Sequence, residues 1–541
     1  MEEILAALYE ERPDFIGFSC YLWNIEYVVS IARDLKKICP GLRIVAGGPE
    51  VSCRPEAFLK DNDSFDLVMT GEGEATFRKL LAYYMACEGS LAEIPGIVYR
   101  EGARLVRTEP GALLSMDELV FPYRDMCGLD NRIIYYESMR GCPFSCSYCL
   151  SSIDKGVRVK SLEKTFSEID FFLSKGVPQV KFVDRTFNCV HEHAYEVWRY
   201  IKERDNGVTN FHFEIAADLL REEDFVLFRG MRPGLIQFEA GVQSTNAETI
   251  RAIGRAMDFS RLGRNIGRLR ESRNIHIHLD LIAGLPCEGY ESFRRSFCVV
   301  YALKPDQLQL GFLKLLYGSG MRAEGDEHGI IASSRPPYEV YATRWLSYAD
   351  IRKLKYVEEM VEVYYNSAQF SASLAYLLPF FPDAFALYES LGYYYKEKKL
   401  FERKHSRLSR YEILWEFAAS QPGVSADCLK EALTYDLYGR EYVKNPPLFV
   451  EPRTEGQKKK IREFFCQAEK SGALPDGYRG YTPAQLQHML YIHIFHFNMD
   501  LLKETGEVEE EKPYALLFDY RNRSPLNHSA HVSRISRKYL P

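Results

Sequence analysis

Short apolar runs alternate with amphipathic segments over the first hundred residues. The apolar runs occupy 14–19, 42–48 and 66–71, and the segments with a helical period occupy 24–38 and 74–86. Strands that alternate with helices indicate a parallel sheet covered by helices. The pattern therefore predicts a doubly wound, Rossmann-like α/β domain over residues 1–112, followed by a linker over 113–132.

A second, longer series of the same kind begins at Ile133. Its predicted strands occupy 133–138, 179–184, 210–216, 235–243, 276–284 and 307–315. Helical segments fill the gaps, which argues against an antiparallel sheet with one wet face. Six β/α units predict a partial (β/α)6, TIM-like barrel over residues 133–325. The remainder, 326–541, is rich in aromatic residues at helical spacing and predicts a mostly helical C-terminal domain.

Three of the predicted barrel strands carry a polar face as well as an apolar one. In the third strand, Phe211 and Phe213 alternate with His212 and Glu214. The polar residues of the fourth strand are Gln237, Glu239 and Gln243, and those of the fifth are His276, His278 and Asp280. Helices must cover the apolar face, so the polar face should point into the barrel. Buried polar groups need partners, either each other or a polar ligand. The repetition over three strands favours a ligand.

Composition and charge narrow the class of protein. At 541 residues the chain is too long for one core. Its 69 basic and 75 acidic residues give a net charge of -6. This balance provides no excess of basic residues for binding nucleic acid, so a nucleic-acid partner is not expected. No apolar run is long enough to span a membrane. The 13 cysteines and the absence of a secretory signal indicate a reducing, cytoplasmic environment.

The densest group of chemically reactive residues is Cys142, Cys146 and Cys149, spaced C-x3-C-x2-C. A structural zinc site takes four ligands, and no second C-x2-C pair or His-x3-His pair is present to complete one. A four-cysteine iron–sulfur cluster lacks a fourth cysteine close in sequence. Three thiolates on a [4Fe–4S] cluster would leave one iron open to a substrate atom.

This spacing, placed directly after the first barrel strand, resembles that of the radical SAM superfamily over residues 130–320. The resemblance implies a [4Fe–4S] cluster held by Cys142, Cys146 and Cys149, with S-adenosylmethionine (SAM) chelated at the open iron. One electron then cleaves SAM to methionine and a 5′-deoxyadenosyl radical. A reductase, flavodoxin or ferredoxin is implied as the electron donor.

The resemblance also implies a set of SAM contacts. Tyr148 and Ile282 correspond to adenine contacts, Gln243 and Ser244 to the ribose-contacting strand end, and Asp184 to the group that holds the methionine amino nitrogen. Glu239, on the polar face of the fourth strand, is a further predicted cofactor contact. Many relatives have an arginine near the end of the third strand to meet the SAM carboxylate. Ala216 and Ala217 stand there, so Arg185 or Lys314 is expected to serve instead.

The N-terminal domain resembles cobalamin-binding domains. Ser19 is followed, after Tyr21 and 25 further residues, by Gly47 and Gly48, as in the family's S-x-L…G-G pattern, and "GEGE" stands at 71–74. The resemblance implies that Ser19 bonds the nucleotide tail and that the glycines let backbone pass close to it. The family's upstream D-x-H-x-x-G segment, with its first strand and helix, has no counterpart in this sequence.

Together these features resemble cobalamin-binding radical SAM proteins that carry an uncharacterised helical C-terminal region. The implied function is methyl transfer to an unactivated carbon of a small molecule. The alternatives are a cobalamin-independent rearrangement, cyclisation or oxidation, and a non-catalytic iron–sulfur carrier or zinc-stabilised scaffold. Cys189 and Cys287 are expected not to bind the cluster. The ligand edge of the N-terminal sheet is expected to face the barrel mouth.

Overall fold

The computed structural model describes residues 1–86, 89–471, 474, 477–478 and 480–536. The N-terminal sheet has the order β1 (Phe15–Ser19), β2 (Arg43–Gly47), β3 (Leu67–Met69), β4 (Ile97–Glu101) and β5 (Arg104–Arg107). The first three strands are parallel, and β4 and β5 pair antiparallel. The helices of this region are α1 (Glu2–Glu10), α2 (Ile25–Ile38), α3 (Pro49–Ser52), α4 (Pro55–Asp61) and α5 (Gly73–Ala86).

Helices cover both faces of the N-terminal sheet. On α2, Val28, Ile31 and Leu35 recur every three or four residues and pack with Ile16 and Ile44 on one face. Leu80 of α5 packs with Val45 and Leu67 on the other. The α/β architecture predicted for this region is confirmed, with its strands in sequential order.

Six parallel strands form the barrel sheet in sequential order. They are β6 (Ile133–Tyr136), β9 (Gln179–Phe182), β10 (Asn210–Glu214), β11 (Ile236–Gln243), β12 (His276–Ala283) and β13 (Gln307–Phe312). The short strands β7 (Met139–Arg140) and β8 (Arg158–Val159) pair beside the segment that contains the three cysteines, and β14 (Ile331–Ala332) pairs with β15 (Val340–Ala342). The helices are α6 (Leu162–Ser174), α7 (His191–Glu203), α8 (Glu222–Phe228), α9 (Ala247–Ala252), α10 (Phe259–Glu271), α11 (Tyr290–Ala302) and α12 (Gly320–Ala323). The partial (β/α)6 barrel is confirmed.

The apolar face of the barrel sheet packs against the helices, as the alternation predicts. Phe211 and Phe213 are fully buried, and Phe213 packs with Trp198 of α7. The two outer strands of an open sheet present unpaired backbone groups, which must be covered. The side chain of Asn366 bonds to the backbone N–H and C=O of Leu308 in β13, and the hydroxyl of Tyr123 donates to the carbonyl of Tyr135 in β6.

The C-terminal region contains a series of helices and, from Leu490 on, an antiparallel sheet. Its helices are α13 (Tyr348–Met360), continued by a π-helical turn (Val361–Asn366), α14 (Ser371–Leu377), α15 (Ala384–Glu397), α16 (Arg407–Ala419), α17 (Ala426–Arg440), α18 (Glu455–Ser471), α19 (Pro483–Met489) and α20 (Met499–Thr505). Its strands are β16 (Leu490–Phe497), β17 (Glu510–Arg523) and β18 (Ala530–Arg534). The sequence analysis did not predict this sheet. One apolar core continues from the barrel into the helices, so the two regions pack as one body. Within the part of the chain that the structure describes, no helix has the length and apolar character needed to cross a bilayer.

Candidate active site

The loop between β7 and β8 carries the three cysteines and is fixed by backbone contacts at several points. The N–H of Cys142 donates to Asp154, and the N–H of Ser147 donates to Ile253 after α9. Gly141 has φ +89°, and a Cβ there would overlap the backbone of Gly156 across the loop. Only glycine fits such a position without strain. The loop is therefore held on both sides at the carboxyl end of the barrel.

The three cysteines line one wall of a cavity of about 180 Å³ at the mouth of the barrel. Cys142 and Cys146 are buried, and Cys149 is partly exposed. The opposite walls come from the loop after β9 and from the carboxyl ends of β10, β11 and β12. A second cavity of about 270 Å³ adjoins it, because Tyr148, Gln243 and Asp280 line both. The three thiols therefore line the first of two adjoining cavities that together could hold a ligand.

Four of the predicted SAM contacts border these two cavities. Tyr148, Glu239 and Gln243 line the cavity beside the cysteines, and Tyr148, Gln243 and Ile282 line its neighbour. Gln243 has φ +68° at the last position of β11, so the chain turns sharply at this rim. Of the two candidate cations, Arg185 lines the first cavity and Lys314 the second.

Asp184 and Ser244, the other two predicted SAM contacts, are fully buried and line neither of these cavities. The Asp184 carboxylate is fully buried and accepts hydrogen bonds from the backbone N–H groups of Ser138 and Met139 and from the Ser138 hydroxyl. The Ser244 hydroxyl donates to the buried Glu288. Burial raises the pKa of Asp184 and of Glu288 to about 7. Both residues position backbone behind the site.

Arg255, which the sequence analysis did not single out, reaches the cysteine loop. Its guanidinium donates to the Sγ of Cys146 at 3.7 Å, to the Tyr148 hydroxyl at 3.4 Å and to the carbonyl of Gly241. Thr186 places its hydroxyl 3.7 Å from the Sγ of Cys142. Both lie on connections after strands, where a sequence motif alone gives no contact information. A fixed cation and a hydroxyl therefore flank the thiols.

The polar face of the barrel strands points inward, as predicted, and its side chains partly pair with one another. Glu239 contacts Lys181 at 3.0 Å and His212 at 2.9 Å. Burial acts to raise the pKa of Glu239, but His212, His278 and Lys181 together lower it to about 2. Burial and the nearby charge of Glu239 raise the pKa of Glu214 to about 7. The cavity floor therefore holds one strong and one weak acid side by side.

The predicted cobalamin contacts lie at the carboxyl edge of the N-terminal sheet. Ser19 is exposed at the end of β1, and the carbonyl of Gly47 accepts the N–H of Cys20. Gly48 has φ +100°, and a Cβ there would lie 2.7 Å from the Cys20 carbonyl oxygen, so the close approach at Gly48 is to the protein's own backbone. The space around Gly71 and Gly73, after β3, is open.

This edge faces the barrel mouth, in the orientation that the sequence analysis predicts. Glu50, just after Gly48, accepts a hydrogen bond from the Tyr338 hydroxyl, and Arg54 stacks 3.8 Å over the ring of Tyr317. The neighbouring Met321 donates its N–H to Ser147 in the cysteine loop. Thus the loop after Gly47–Gly48 and the cysteine loop contact the same connection after β13.

Acidic residues after β3 make a second contact between the domains. Glu72 pairs with Arg140 and Arg158, which flank the cysteine loop. The linker runs beside this contact, because the Arg158 guanidinium also donates to the carbonyl of Leu114. Two independent contacts therefore fix the N-terminal edge over the mouth.

Neither excluded cysteine lines the cavity beside the three thiols. The Cys189 Sγ lies 3.8 Å from the sulfur of Met139, and burial raises its pKa to about 11. Cys287 is partly exposed in a left-handed turn at φ +63°, and its carbonyl accepts a hydrogen bond from Asn246. That Cys189 and Cys287 do not bind the cluster stays a prediction.

Three family models match consecutive parts of the chain. Residues 1–81 match the B12 binding domain, residues 136–297 match the Radical SAM superfamily, and residues 326–518 match a protein of unknown function, DUF4080. The site with its three cysteines is that of a radical SAM protein. The chain combines this radical SAM domain with a B12-binding domain.

Among curated relatives, the chain is 28% identical over 300 residues to 2-(S-pantetheinyl)-carbapenam-3-carboxylate methyltransferase from Streptantibioticus cattleyicolor. It is 28% identical over 303 residues to the cobalamin-dependent radical SAM methyltransferase TokK from Streptomyces tokunonensis. Each match covers 52% of this chain and 44% of the relative, so the chain spans less than half the length of either. The solved structure of the cobalamin-dependent SAM radical enzyme OxsB has the same fold, with TM-score 0.56 and 15% identity over 86% of this chain and 77% of that one.

The radical SAM domain implies a [4Fe–4S] cluster and SAM, and the B12-binding domain implies cobalamin. The residues present fit these groups. Three thiols on one cavity wall are a donor set for a cluster with one open iron. At the N-terminal edge, the exposed Ser19 and the open space at Gly71 and Gly73 leave room for a nucleotide-bearing group.

Arg255→Gln is expected to make the reduction potential of the cluster more negative. The guanidinium lies beside the Cys146 sulfur, and a nearby positive charge stabilises the reduced, more negative cluster. One hydrogen bond from a charged group contributes about 1.5 kcal/mol, which corresponds to about 60 mV for one electron. An EPR-monitored redox titration measures the shift. Arg251→Gln, at an exposed position on α9, is the matched control; an equal potential in both variants would contradict the assignment.

Proposed function

We propose that this chain is a cobalamin-dependent radical SAM enzyme that transfers a methyl group to an unactivated carbon of a small-molecule substrate. When bound, the cluster and SAM supply a 5′-deoxyadenosyl radical, and cobalamin supplies the methyl group. The observation that carries the proposal is the shared contact surface after β13. There the loop following Gly47–Gly48 and the cysteine loop meet. The relatives named as methyltransferases support the same reaction class.

In this proposal each region has a separate task. Residues 1–112 hold cobalamin at the edge that contains Ser19, and residues 133–325 hold the cluster and SAM. Cys142, Cys146 and Cys149 bind the cluster, and Tyr148, Gln243 and Ile282 surround SAM. Arg185 and Lys314, which border the two cavities, are positioned to meet the SAM carboxylate. The linker over 113–132 joins the two regions, and residues 326–541 pack against the barrel.

The decisive experiment is anaerobic reconstitution with iron, sulfide and cobalamin, followed by incubation with SAM and a low-potential electron donor such as reduced flavodoxin. The proposal predicts bound cobalamin, formation of 5′-deoxyadenosine, and a small molecule that gains the labelled methyl group of SAM. SAM cleavage without cobalamin binding would favour a cobalamin-independent radical enzyme. A cluster without SAM cleavage would favour an electron carrier.

Gly73→Leu is expected to reduce cobalamin retention strongly while the protein still folds. Gly73 stands between Glu72 and Glu74, which contact the arginines beside the cysteine loop. Because no heavy atom lies within 4 Å of a Cβ placed there, a leucine meets open space and would compete with the ligand. Bound cobalamin after desalting is measured from its absorbance.

Gly41→Leu is the matched control for this variant. Gly41 also has open space around a Cβ, but it precedes β2 and lies at the opposite, amino end of the sheet. Cobalamin retention should be unchanged in this variant. Equal retention in both variants would place cobalamin away from the Gly71–Gly73 edge.

A further inference from the structure

A second group of potential metal ligands lies inside the barrel, below the cysteine loop. Glu239 of β11 stands directly opposite His278 of β12 in the strand register, and Asp280 is the next inward residue on β12. One ligand atom from each of the three residues lies within 4.8 Å of the others. Two adjacent parallel strands therefore bring one imidazole and two carboxylates together.

The contacts in this group are close but poorly directed for hydrogen bonds. The Nε2 of His278 lies 2.9 Å from the Oδ1 of Asp280, and the Nε2 of His212 lies 2.9 Å from the Oε2 of Glu239. Both histidines are more than nine-tenths buried. Among the described residues, neither Nε2 atom has a partner that is aligned for a hydrogen bond. The Oδ1 of Asp280 is likewise buried and unpaired. Buried polar atoms left without partners cost about 1–3 kcal/mol each, so a bound cation that contacts these atoms would offset that cost.

We propose that Glu239, His278 and Asp280 bind a divalent first-row transition ion, such as Mn²⁺, Fe²⁺ or Zn²⁺. Imidazole and carboxylate together suit these ions. Both carboxylates line the cavity beside the three cysteines, which gives the ion an entry path and a coordination position open to a bound molecule. None of the three ligands is a cysteine, but Glu239 and Asp280 line the cavity beside the three thiols, so the ion would lie next to the space that the proposed function assigns to the cluster and SAM.

The charges around the cavity favour a cation. Three acids, Asp218, Glu239 and Asp280, and the weaker acid Glu214 face two guanidinium groups from Arg185 and Arg255. The competing cation is Lys181, whose ammonium lies 3.0 Å from the Oε2 of Glu239. Its side chain is 25% exposed, so the ammonium can turn away from a bound ion. A Lys181 variant therefore distinguishes a metal site from a simple ion-pair network.

The test is a Mn²⁺ titration of the full-length, cluster-reconstituted protein, followed by the loss of the EPR signal of free Mn²⁺, with Zn²⁺ as competitor. One saturable site per chain is expected. His278→Gln and Asp280→Asn should each weaken binding at least about tenfold, the effect of disturbing a metal's ligand environment. Lys181→Met should strengthen binding, because it removes the competing ammonium.

His276→Gln is the matched control, since His276 lies on the same strand and the same inward face but outside the three-residue group. Its Mn²⁺ affinity should equal that of the original protein. Repeating the titration with the triple variant Cys142→Ala, Cys146→Ala and Cys149→Ala separates this site from cluster, SAM and cobalamin chemistry. The absence of a stoichiometric Mn²⁺ or Zn²⁺ site in the reconstituted protein, or binding that His278→Gln leaves unchanged, would overturn the proposal.

Discussion

Cys142→Ala is expected to abolish the brown iron–sulfur chromophore and reduce SAM cleavage to background, and the same holds for Cys146→Ala and Cys149→Ala. The three thiols share one cavity wall, and the loop that carries them is fixed at both flanks. Because the proposal gives the cluster three protein thiolates, the loss of one leaves two thiolates for four irons. Iron per chain, the visible spectrum and 5′-deoxyadenosine formation measure the loss.

Cys189→Ala is the matched control for these variants. Cys189 lies behind the loop, 3.8 Å from Met139, and does not line the cavity. About four irons per chain and full SAM cleavage are expected from this variant. A full cluster in the triple variant of Cys142, Cys146 and Cys149 would show that other residues bind the iron.

The barrel could be predicted because the apolar and the polar face of its strands are both visible in the sequence. Phe211 and Phe213 alternate with His212 and Glu214, and a period of two between apolar and polar residues is specific to strands. The spacing of the cysteines is likewise a local pattern, since all three lie on a single short loop. Such local patterns survive in a single sequence.

Contacts made by residues far apart in sequence could not be predicted in this way. Arg255 reaches Cys146 across 109 positions, and nothing around it marks a ligand. Asp184 ends a predicted strand, and only its burial against Ser138 shows that it supports the loop. The sheet that begins at Leu490 was missed because its strands lie at the end of a mostly helical region and belong to no repeating β/α series. These contacts depend on packing between distant parts of the chain, which cannot be read from a single sequence.

Asp184→Ala is expected to lower the free energy of unfolding by about 3–5 kcal/mol, because it leaves the N–H groups of Ser138 and Met139 buried without an acceptor. These two residues lead directly into the cysteine loop, so cluster retention should fall as well. Asp436→Ala is a matched control: this carboxylate is also buried and accepts N–H bonds from Ala372 and Ser373, but in the C-terminal region. It should cost similar stability and leave cluster retention in the folded protein unchanged. Equal cluster loss in both variants would mean that Asp184 stabilises the fold as a whole and has no specific effect on the cysteine loop.

Asp184→Asn separates the charge of this group from its hydrogen bonds. An amide oxygen can still accept both N–H groups, and its NH₂ can donate to the Ser138 hydroxyl, so only a small change in stability is expected at low pH, where Asp184 is neutral in both the folded and the unfolded state. Burial raises the pKa of Asp184 to about 7 in the folded protein, against about 3.9 in an unfolded chain. The folded state therefore binds more protons between these values, and its stability falls as pH rises through that window. The free energy of unfolding is measured at pH 5 to 7 by denaturant titration of the cluster-free protein. Its slope against pH should be less negative for Asp184→Asn than for the original protein, by up to about 1.4 kcal/mol per pH unit. An unchanged slope would mean that Asp184 is already ionised at pH 5, with its charge stabilised by the three donors that begin the cysteine loop.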